Sequence, residues 1–326
     1  CAEEKVTPRQ KALAKNGGKK LVQVMIVLFG ITFLTFGLLR LSPKNPAEIW
    51  LLGSSGHVGS VSEEALAAQE HAMGLDQPFL VQYIRWVQGA IHGDLGLSYA
   101  TKTSVSAELM RHVGPTAAMA FFSLLVSVAL AVPLGICCAI RPLGVLDRVM
   151  QVGSFFALSL PSFVVGLGVL WLFCIRLSWF PILAEDGLRG LLLPCSVLCV
   201  QAVFKMNRQV RSILLQELEK PYVDGARIRG VGEREIFFRH VLKNAAAPIL
   251  TCINLYLGVF LGGSTVIEGI FSVNGLGSLA VSAARTMDYP MIQGFVLWCA
   301  LVYLAVNLAA DGLAALIDPR LKYRLS

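Results

Sequence analysis

Six long apolar runs alternate with polar segments along the chain. A helix needs about 20 apolar residues to cross a hydrocarbon core of about 30 Å, and each run is about that long or longer. The fourth run fits least well, because Pro194 and Gln201 interrupt it. The pattern predicts an all-α polytopic membrane protein with six transmembrane helices. The predicted spans cover residues 21–41, 115–140, 149–175, 188–206, 247–272 and 291–317.

The composition agrees with this pattern. The chain has 326 residues, of which 55% are hydrophobic and 15% charged, and its mean hydropathy is +0.65. A soluble domain is about 45–50% apolar and about 25% charged, so a typical soluble protein is excluded. The net charge of +7 indicates topology rather than nucleic-acid binding, because Lys and Arg beside spans orient them.

The distribution of Lys and Arg predicts which segments are cytoplasmic. Their densest groups lie before residue 21 and between Lys205 and Lys243. Basic residues are enriched in cytoplasmic loops, so both termini are expected in the cytoplasm. The predicted organisation is a flexible basic tail (1–18), a first transmembrane helix (19–41), an external helical cap (42–114), a five-helix core (115–317) containing a cytoplasmic loop (207–246), and a cytoplasmic tail (318–326).

The predicted cap carries its own helix signals. Ser62 can cap a helix that Gly74 would end, and apolar residues at helical spacing from Leu80 to Ile91 predict a second helix. The cap also contains His57, His71, His92 and His112. No two of these are three or four residues apart, so we predict no metal site.

The most informative polar segment runs from Lys220 to Thr251. It combines dense charge with Gly230 and Gly232 and an interrupted apolar stripe. Two short helices joined by a glycine turn would present such a stripe to a partner. The alternative is a solvated positive loop that only fixes topology.

Within this segment, Asp224-Gly225-Ala226-x-x-x-Gly230 resembles E-A-A-x-x-x-G, the coupling motif of the membrane subunits of ATP-binding-cassette importers. The surrounding Arg227, Arg239-His240, Leu242, Asn244-Ala245 and Pro248 are similar to the peptide and nickel branch of that family. Similar motifs extend over nearly the whole chain from about Lys19: Gly74–Trp86, Gly93–Ser98, Ser159–Phe163, Val266–Phe271, Asp288–Gln293, Asn307 with Asp311, and Asp318–Arg320. One departure is Asn274, where the branch usually has Pro.

The resemblance implies a permease subunit that is not itself an enzyme. Its partners would be cytoplasmic ATPase subunits, a second homologous membrane subunit and an external substrate-binding protein. ATP and Mg²⁺ would bind the ATPase subunits, and this chain would bind no cofactor. The sequence has no G-x-x-x-x-G-K-[ST] phosphate loop. The residues expected to couple the chain to ATP hydrolysis are Tyr222, Asp224, Gly225, Ala226, Gly230, Arg239, His240 and Asn244.

Three residues in or near the predicted spans are candidates for the pathway or its gate. Charged groups at membrane depth are costly and usually functional. Glu268 lies near one end of the fifth span, where it could serve a gate or a helix contact. Asp311 lies near the end of the sixth and could pair at the interface with Arg320. Pro161 frees a backbone carbonyl and can bend the third span.

Two other classes of protein compete with the importer hypothesis. An ion-coupled secondary transporter would work alone and would not need a docking loop of this length. An intramembrane enzyme would need a histidine or a pair of facing acids within the spans, and the predicted spans contain neither arrangement. The cargo stays open among a dipeptide, a longer peptide and a nickel complex.

Overall fold

A computed structural model of the chain describes residues 8–41, 45–55, 62–181 and 187–317. Those residues fold almost entirely into helices, which confirms the all-α prediction. The helices are α1 Pro8–Arg40, α2 Pro46–Ser55, α3 Glu63–Met73, α4 Phe79–Ile91, α5 Val105–Ile140, α6 Val145–Ser159, α7 Ser162–Leu170, α8 Leu188–Leu218, α9 Pro221–Ile228, α10 Glu233–Glu235, α11 Leu242–Gly263, α12 Thr265–Ile270, α13 Leu276–Thr286 and α14 Tyr289–Ile317. π-helical turns extend α7 through Trp171–Arg176 and join α10 to α11 through Ile236–Val241.

Five helical stretches in the described residues are long and apolar enough to cross a membrane. A sixth crossing is available if α6 and α7, which meet at an angle of 100°, form one broken span. The count therefore agrees with the six predicted spans. The five stretches are Val22–Arg40, Val105–Ile140, Arg189–Leu218, Glu233–Ile270 and Tyr289–Ala309.

Three helices continue beyond the apolar runs that predicted them. The first helix extends back to Pro8, so residues 8–18 are helical rather than an irregular tail. The helix of the second span begins at Val105, inside the predicted cap. The helix of the fourth span continues to Leu218, so much of the predicted loop 207–246 is regular helix. The predicted tail 318–326 lies outside the described residues.

The extension of α8 has a packing cause. Met206, Val210 and Leu214 recur every four residues and are completely buried, so one apolar stripe continues past the membrane-length run. Charged residues occupy the other faces and lower the average hydropathy. Hydropathy therefore underestimated the length of this helix.

Contacts divide the chain into two units. Within the described residues, one unit comprises positions up to 114 together with 274–304, and the other comprises 115–273 together with 305–317. In the first unit, α1 packs on α4 through aromatic rings. Tyr83 lies between Phe33 and Phe36, at ring-centroid distances of 5.3 and 5.5 Å, and its hydroxyl hydrogen-bonds Thr32 at 2.8 Å.

The predicted cap helices exist with the expected ends. Ser62 accepts a hydrogen bond from the N–H of Ala65, and Gly74 ends α3 in the left-handed conformation. Three apolar residues of α4, Leu80, Ile84 and Ile91, are exposed.

In the second unit, α8 contacts α6, α7, α11 and α12. The approach of α6 to α8 is close enough to require glycine, since a Cβ on Gly153 would lie 2.2 Å from the Phe204 ring. Next to it, Ser154 Oγ donates a 2.7 Å hydrogen bond to the carbonyl of Phe204. The Phe204 ring therefore packs directly against the backbone of α6.

The break between α6 and α7 occurs at Leu160 and Pro161, where proline is expected to bend a helix. Gln201 on α8 donates a 3.0 Å hydrogen bond to the Leu160 carbonyl. Polar side chains on neighbouring helices satisfy such freed backbone groups inside a membrane. Gln201, which weakened the prediction of the fourth span, has this structural role.

Candidate ATPase-coupling site

The site is built on α9, the helix that carries the Asp224-Gly225-Ala226 motif. Pro221 occupies its first turn, where the missing N–H costs no hydrogen bond. Val223 and Ala226 are buried on one face. The opposite face is open, with the Asp224 side chain 65% exposed and Ile228 87% exposed. One face of α9 therefore packs against the rest of the protein, and the other face is open to solvent.

A glycine turn ends α9 as the sequence predicted. Gly230 has φ +79°, a conformation that other residues avoid. The second helix is not short, however, because α10 continues through the π-helical turn into α11. The turn thus connects α9 directly to the helix that begins the fifth span.

Arg227 bridges the two sides of this turn. It approaches Asp224 at 3.2 Å within α9 and places two nitrogens on the Glu233 carboxylate, at 2.6 and 3.2 Å. Two parallel contacts of this kind fix orientation as well as distance. These two acids raise the pKa of Arg227, with Glu233 contributing most.

The buried face of α9 is anchored by Glu217 in the last turn of α8. Its carboxylate accepts hydrogen bonds from Lys220 at 2.5 Å and from the Tyr222 hydroxyl at 3.1 Å. Glu217 is only 5% exposed. Removing either partner would leave buried polar atoms unsatisfied.

Tyr222 also interacts through its hydroxyl with the side chain of Asn244. Burial raises the pKa of Tyr222, and Glu217 adds to this rise. Tyr222 and Asn244, which were predicted together, are therefore brought together, and they connect the start of α9 to α11. Gly225 lies within α9, where an added Cβ would meet nothing within 4 Å.

Arg239 and His240 lie outside α9. Both are exposed on the π-helical turn, and Arg239 pairs with Glu235 at 3.0 Å rather than with an α9 residue. Sequence reasoning missed Glu217, Arg227 and Glu233 as members of the site. The acid and the lysine three residues apart, Glu217 and Lys220, were the available signal.

The C-terminal half of α8 is fixed to α6 by a buried ion pair. Arg211 reaches the two oxygens of Asp147 with Nε at 2.6 Å and Nη2 at 2.9 Å. Asp147 also accepts hydrogen bonds from the Leu143 N–H and the Gln151 side chain. Because Glu217 lies on the same helix as Arg211, the pair also helps to position the anchor of α9.

The predicted pathway candidates lie in different settings. Glu268 is fully buried and accepts 2.9 Å hydrogen bonds from Thr116 on α5 and Ser264 beside α12. Its visible role is therefore a helix contact. Pro161 forms the break described above. Asp311 lies on α14, but its side chain is outside the described part of the chain, as is Arg320.

Comparison with known proteins agrees with this architecture. A family model described as "Binding-protein-dependent transport system inner membrane component" matches residues 131–323. The corresponding N-terminal model, "Binding-prot-dependent transport system membrane comp, N-term", matches residues 18–120. The chain therefore belongs to this family, the membrane-spanning permease subunits of ATP-binding-cassette importers.

Individual members of this family are similar to the chain over nearly its full length. The nickel import system permease protein NikB of Staphylococcus aureus strain USA300 is 34% identical over 306 residues, which is 94% of this chain and 91% of the relative. NikB of strain bovine RF122 / ET3-1 matches with the same identity and coverage.

Solved structures support the fold. The chain resembles the MetNI methionine ABC transporter in an inward-facing conformation, with 19% identity, a TM-score of 0.51 and coverage of 65% of this chain and 96% of that one. An amino acid ABC transporter crystallised with histidines gives 14% identity, a TM-score of 0.50 and coverage of 66% and 94%.

Membership of this family defines what the chain contributes. It is a multi-pass inner-membrane permease subunit, and partner subunits, not this chain, hydrolyse ATP. The family implies ATPase subunits, a second permease subunit and a substrate-binding protein as the surrounding assembly.

Proposed function

We propose that this chain forms half of an inward translocation pathway for nickel, free or chelated, delivered by an external binding protein. The similarity to NikB over nearly the full length of both chains supports nickel as the cargo. The second candidate cargo is a small peptide, since the sequence motifs are shared by the peptide and nickel branch.

Cargo uptake separates these two candidates. Cells lacking their own nickel and dipeptide importers would receive the complete transporter and then radiolabelled nickel or a radiolabelled dipeptide. Nickel accumulation that depends on this chain supports the proposal. Accumulation of the dipeptide alone contradicts it.

In the membrane, both termini and α9 would lie in the cytoplasm, and the segment between α1 and α5 outside. The concentration of Lys and Arg before residue 21 and between Lys205 and Lys243 supports this orientation. Cysteines introduced at Glu64 and Gly232 should react from opposite sides. Labelling of both by one impermeant reagent in intact cells would refute the six-span arrangement.

Coupling would proceed through α9. When ATP closes the ATPase dimer, the helices docked on it move together and shift the spans between outward and inward access. The contacts that support α9 as the link are the Glu217 anchor on its buried face and the Arg227–Glu233 connection to the fifth span. A force applied to α9 therefore reaches both α8 and α11.

The exposed face of α9 would bind the ATPase. Ile228 is an apolar anchor beside Asp224 and Arg229, and large exposed side chains surrounded by charge are typical of binding surfaces. Arg239 and His240 would act at the edge of the same interface, separated from α9 by the glycine turn.

Cross-linking tests this assignment directly. A cysteine at Ile228 should cross-link to an ATPase subunit in membranes, whereas a cysteine at Val223, on the buried face of the same helix, should not. Equal cross-linking at both positions, or none at Ile228 in an assembled complex, would remove α9 from the interface.

The remaining candidates would shape the pathway rather than bind the ATPase. Glu268 would hold α12 to α5 through Thr116, and Pro161 would keep the third span broken. Asp311 would pair at the membrane interface. Replacing Glu268 by Gln keeps two hydrogen-bond acceptor sites and should preserve transport better than Glu268→Leu.

A further inference from the structure

A cleft of about 350 Å³ lies within the first unit. The end of α1, one side of α4, the loop before α5 and the start of α14 form its walls. It combines aromatic rings with basic side chains and is open on one side. Its principal residues are Arg40, Trp50, Arg85, Trp86, Tyr99 and Tyr289.

The charge of the cleft is uncompensated. Arg40 and Arg85 are the charged side chains among the described residues that line it. Neither guanidinium forms an ion pair with a carboxylate in the described ranges, and Arg40 instead stacks on Phe36, 5.3 Å from the ring centroid. Two cations that line one partly enclosed site favour an anion that can accept hydrogen bonds from both.

Nearby acids are already engaged elsewhere. Asp76 pairs with His71 at 2.9 Å. Asp288 is buried and accepts hydrogen bonds from Ser98, from the Tyr99 N–H at 3.0 Å and from the Ala100 N–H at 3.4 Å. That network shapes the wall that carries Tyr99 and leaves the arginines without an acidic partner.

The wall also contains unsatisfied polar atoms. The indole N–H of Trp86 and the side-chain oxygen of Gln82 are buried and have no hydrogen-bond partner within the described segments. Buried polar groups in folded proteins are nearly always paired, and exceptions call for an explanation such as a missing ligand. An oxyanion beside Arg85 would offer the indole an acceptor.

The depth of the cleft identifies where such an anion would come from. The apolar stretch Val22–Arg40 has 19 residues, or about 28 Å of helix, so Arg40 ends a segment as long as the hydrocarbon core is thick. Tyr289 begins another candidate span, Tyr289–Ala309. The cleft therefore lies at the membrane interface, where Trp and Tyr concentrate and lipid phosphates are found.

We propose that this cleft binds the phosphodiester headgroup of an anionic phospholipid such as phosphatidylglycerol. The two guanidiniums hold the phosphate, and the aromatic rings enclose the glycerol. The acyl chains lie along α1, where Ile26 and Phe29, on the same helical face as Arg40, are 65% and 57% exposed. A free phosphate has the same anionic group but no chains to use that surface.

Native mass spectrometry of the intact chain in detergent tests the proposal. The chain is titrated separately with phosphatidylglycerol and phosphatidylcholine, and inorganic phosphate is then added as a competitor. We expect one phosphatidylglycerol to be retained with affinity about tenfold above that of phosphatidylcholine, without displacement by equimolar phosphate.

Matched variants locate the binding site. Arg85→Gln should lower the affinity for phosphatidylglycerol about tenfold. Trp86→Phe keeps an aromatic ring but removes the indole N–H donor, and it should lower the affinity less. Arg111→Gln removes the same charge from an exposed position of α5 and should leave the affinity unchanged.

Three outcomes would overturn the assignment. Equal retention of phosphatidylglycerol and phosphatidylcholine, which also carries a phosphodiester, removes the requirement for a headgroup of net negative charge. Equal losses in Arg85→Gln and Arg111→Gln point to general surface charge. Displacement by equimolar phosphate identifies a site for a free anion rather than a lipid. Far-ultraviolet circular dichroism of each variant excludes loss of the helical fold as the cause.

Discussion

Glu217 and Asp224 lie seven residues apart on either side of the start of α9, and the structure uses them in opposite ways. Glu217 is buried and accepts from Lys220 and Tyr222. Asp224 is mostly exposed and has one contact with Arg227 at 3.2 Å. The motif acid is thus available to a partner, whereas the acid outside the motif holds the helix in place.

This difference separates two kinds of defect. Changing the exposed acid should damage docking while leaving the chain folded, because a surface ion pair contributes little to stability. Changing the buried acid should disturb the local structure first, because it leaves polar atoms buried without partners. Stability and coupling can therefore be measured as independent readouts.

The largest functional effect is expected for Asp224→Lys. Reversing this charge places a cation where the partner is proposed to meet an acid, and like charges across an interface are strongly unfavourable. Cargo uptake and cargo-stimulated ATP hydrolysis should both fall by about tenfold or more, with unchanged thermal unfolding of the purified subunit. Glu219→Lys, an exposed charge reversal at the end of α8, is the control and should retain uptake.

If Asp224→Lys and Glu219→Lys both transport normally, the exposed face of α9 has no role in coupling. The segment would then only fix topology. A fall in both variants would instead indicate a general effect of cytoplasmic charge.

The next largest loss of uptake is expected from a substitution in the glycine turn that follows α9. Gly230 has φ +79°, and a β-branched residue there should introduce strain of about 1–3 kcal/mol. We expect Gly230→Val to insert normally while uptake falls severalfold. Gly232→Ala is the control, because Gly232 has φ −67° and its added Cβ would meet nothing within 4 Å. Normal uptake in Gly230→Val would show that the direction of α9 does not matter.

Glu217→Ala tests the buried half of the comparison. Losing the acceptor of Tyr222 should cost about 1–3 kcal/mol of local stability, measured by hydrogen exchange of α9 amides, with a smaller fall in uptake. Glu217→Gln keeps an acceptor and should restore part of the protection. Glu219→Ala removes a carboxylate two residues away from an exposed position and should change neither quantity. Protection equal to wild type in Glu217→Ala would contradict the anchoring role.

Features that depend only on neighbouring residues were predicted correctly from the sequence. Gly230 needed only backbone sterics, and Ser62 and Gly74 only helix capping, so these positions were predicted correctly. The end of α8 at Leu218 was not predicted. Hydropathy averages over all faces of a helix, whereas α8 is held by the one buried stripe of Met206, Val210 and Leu214.

Side-chain partners across long separations could not be predicted from one sequence. Gln201 meets the Leu160 carbonyl across 41 residues, and Arg211 meets Asp147 across 64. Both depend on how α6 packs on α8, which no local pattern specifies. Glu217 is a different case, because its partners Lys220 and Tyr222 are only three and five residues away. What the sequence did not show is that Glu217 is buried at the end of α8.

The smallest effect is expected at Gly225, which stands where the related motif has Ala. It lies inside α9, and an added Cβ would meet nothing within 4 Å. Because Ala is favoured over Gly in a helix interior by about 0.8–1 kcal/mol, Gly225→Ala should slow hydrogen exchange of α9 amides. Uptake should stay close to wild type, since neither Glu217 nor Asp224 is touched. Gly225→Pro at the same position should break the helix and abolish uptake. Loss of uptake in Gly225→Ala would mean that this position itself lies against the partner, and the exposed face would then extend beyond Asp224 and Ile228.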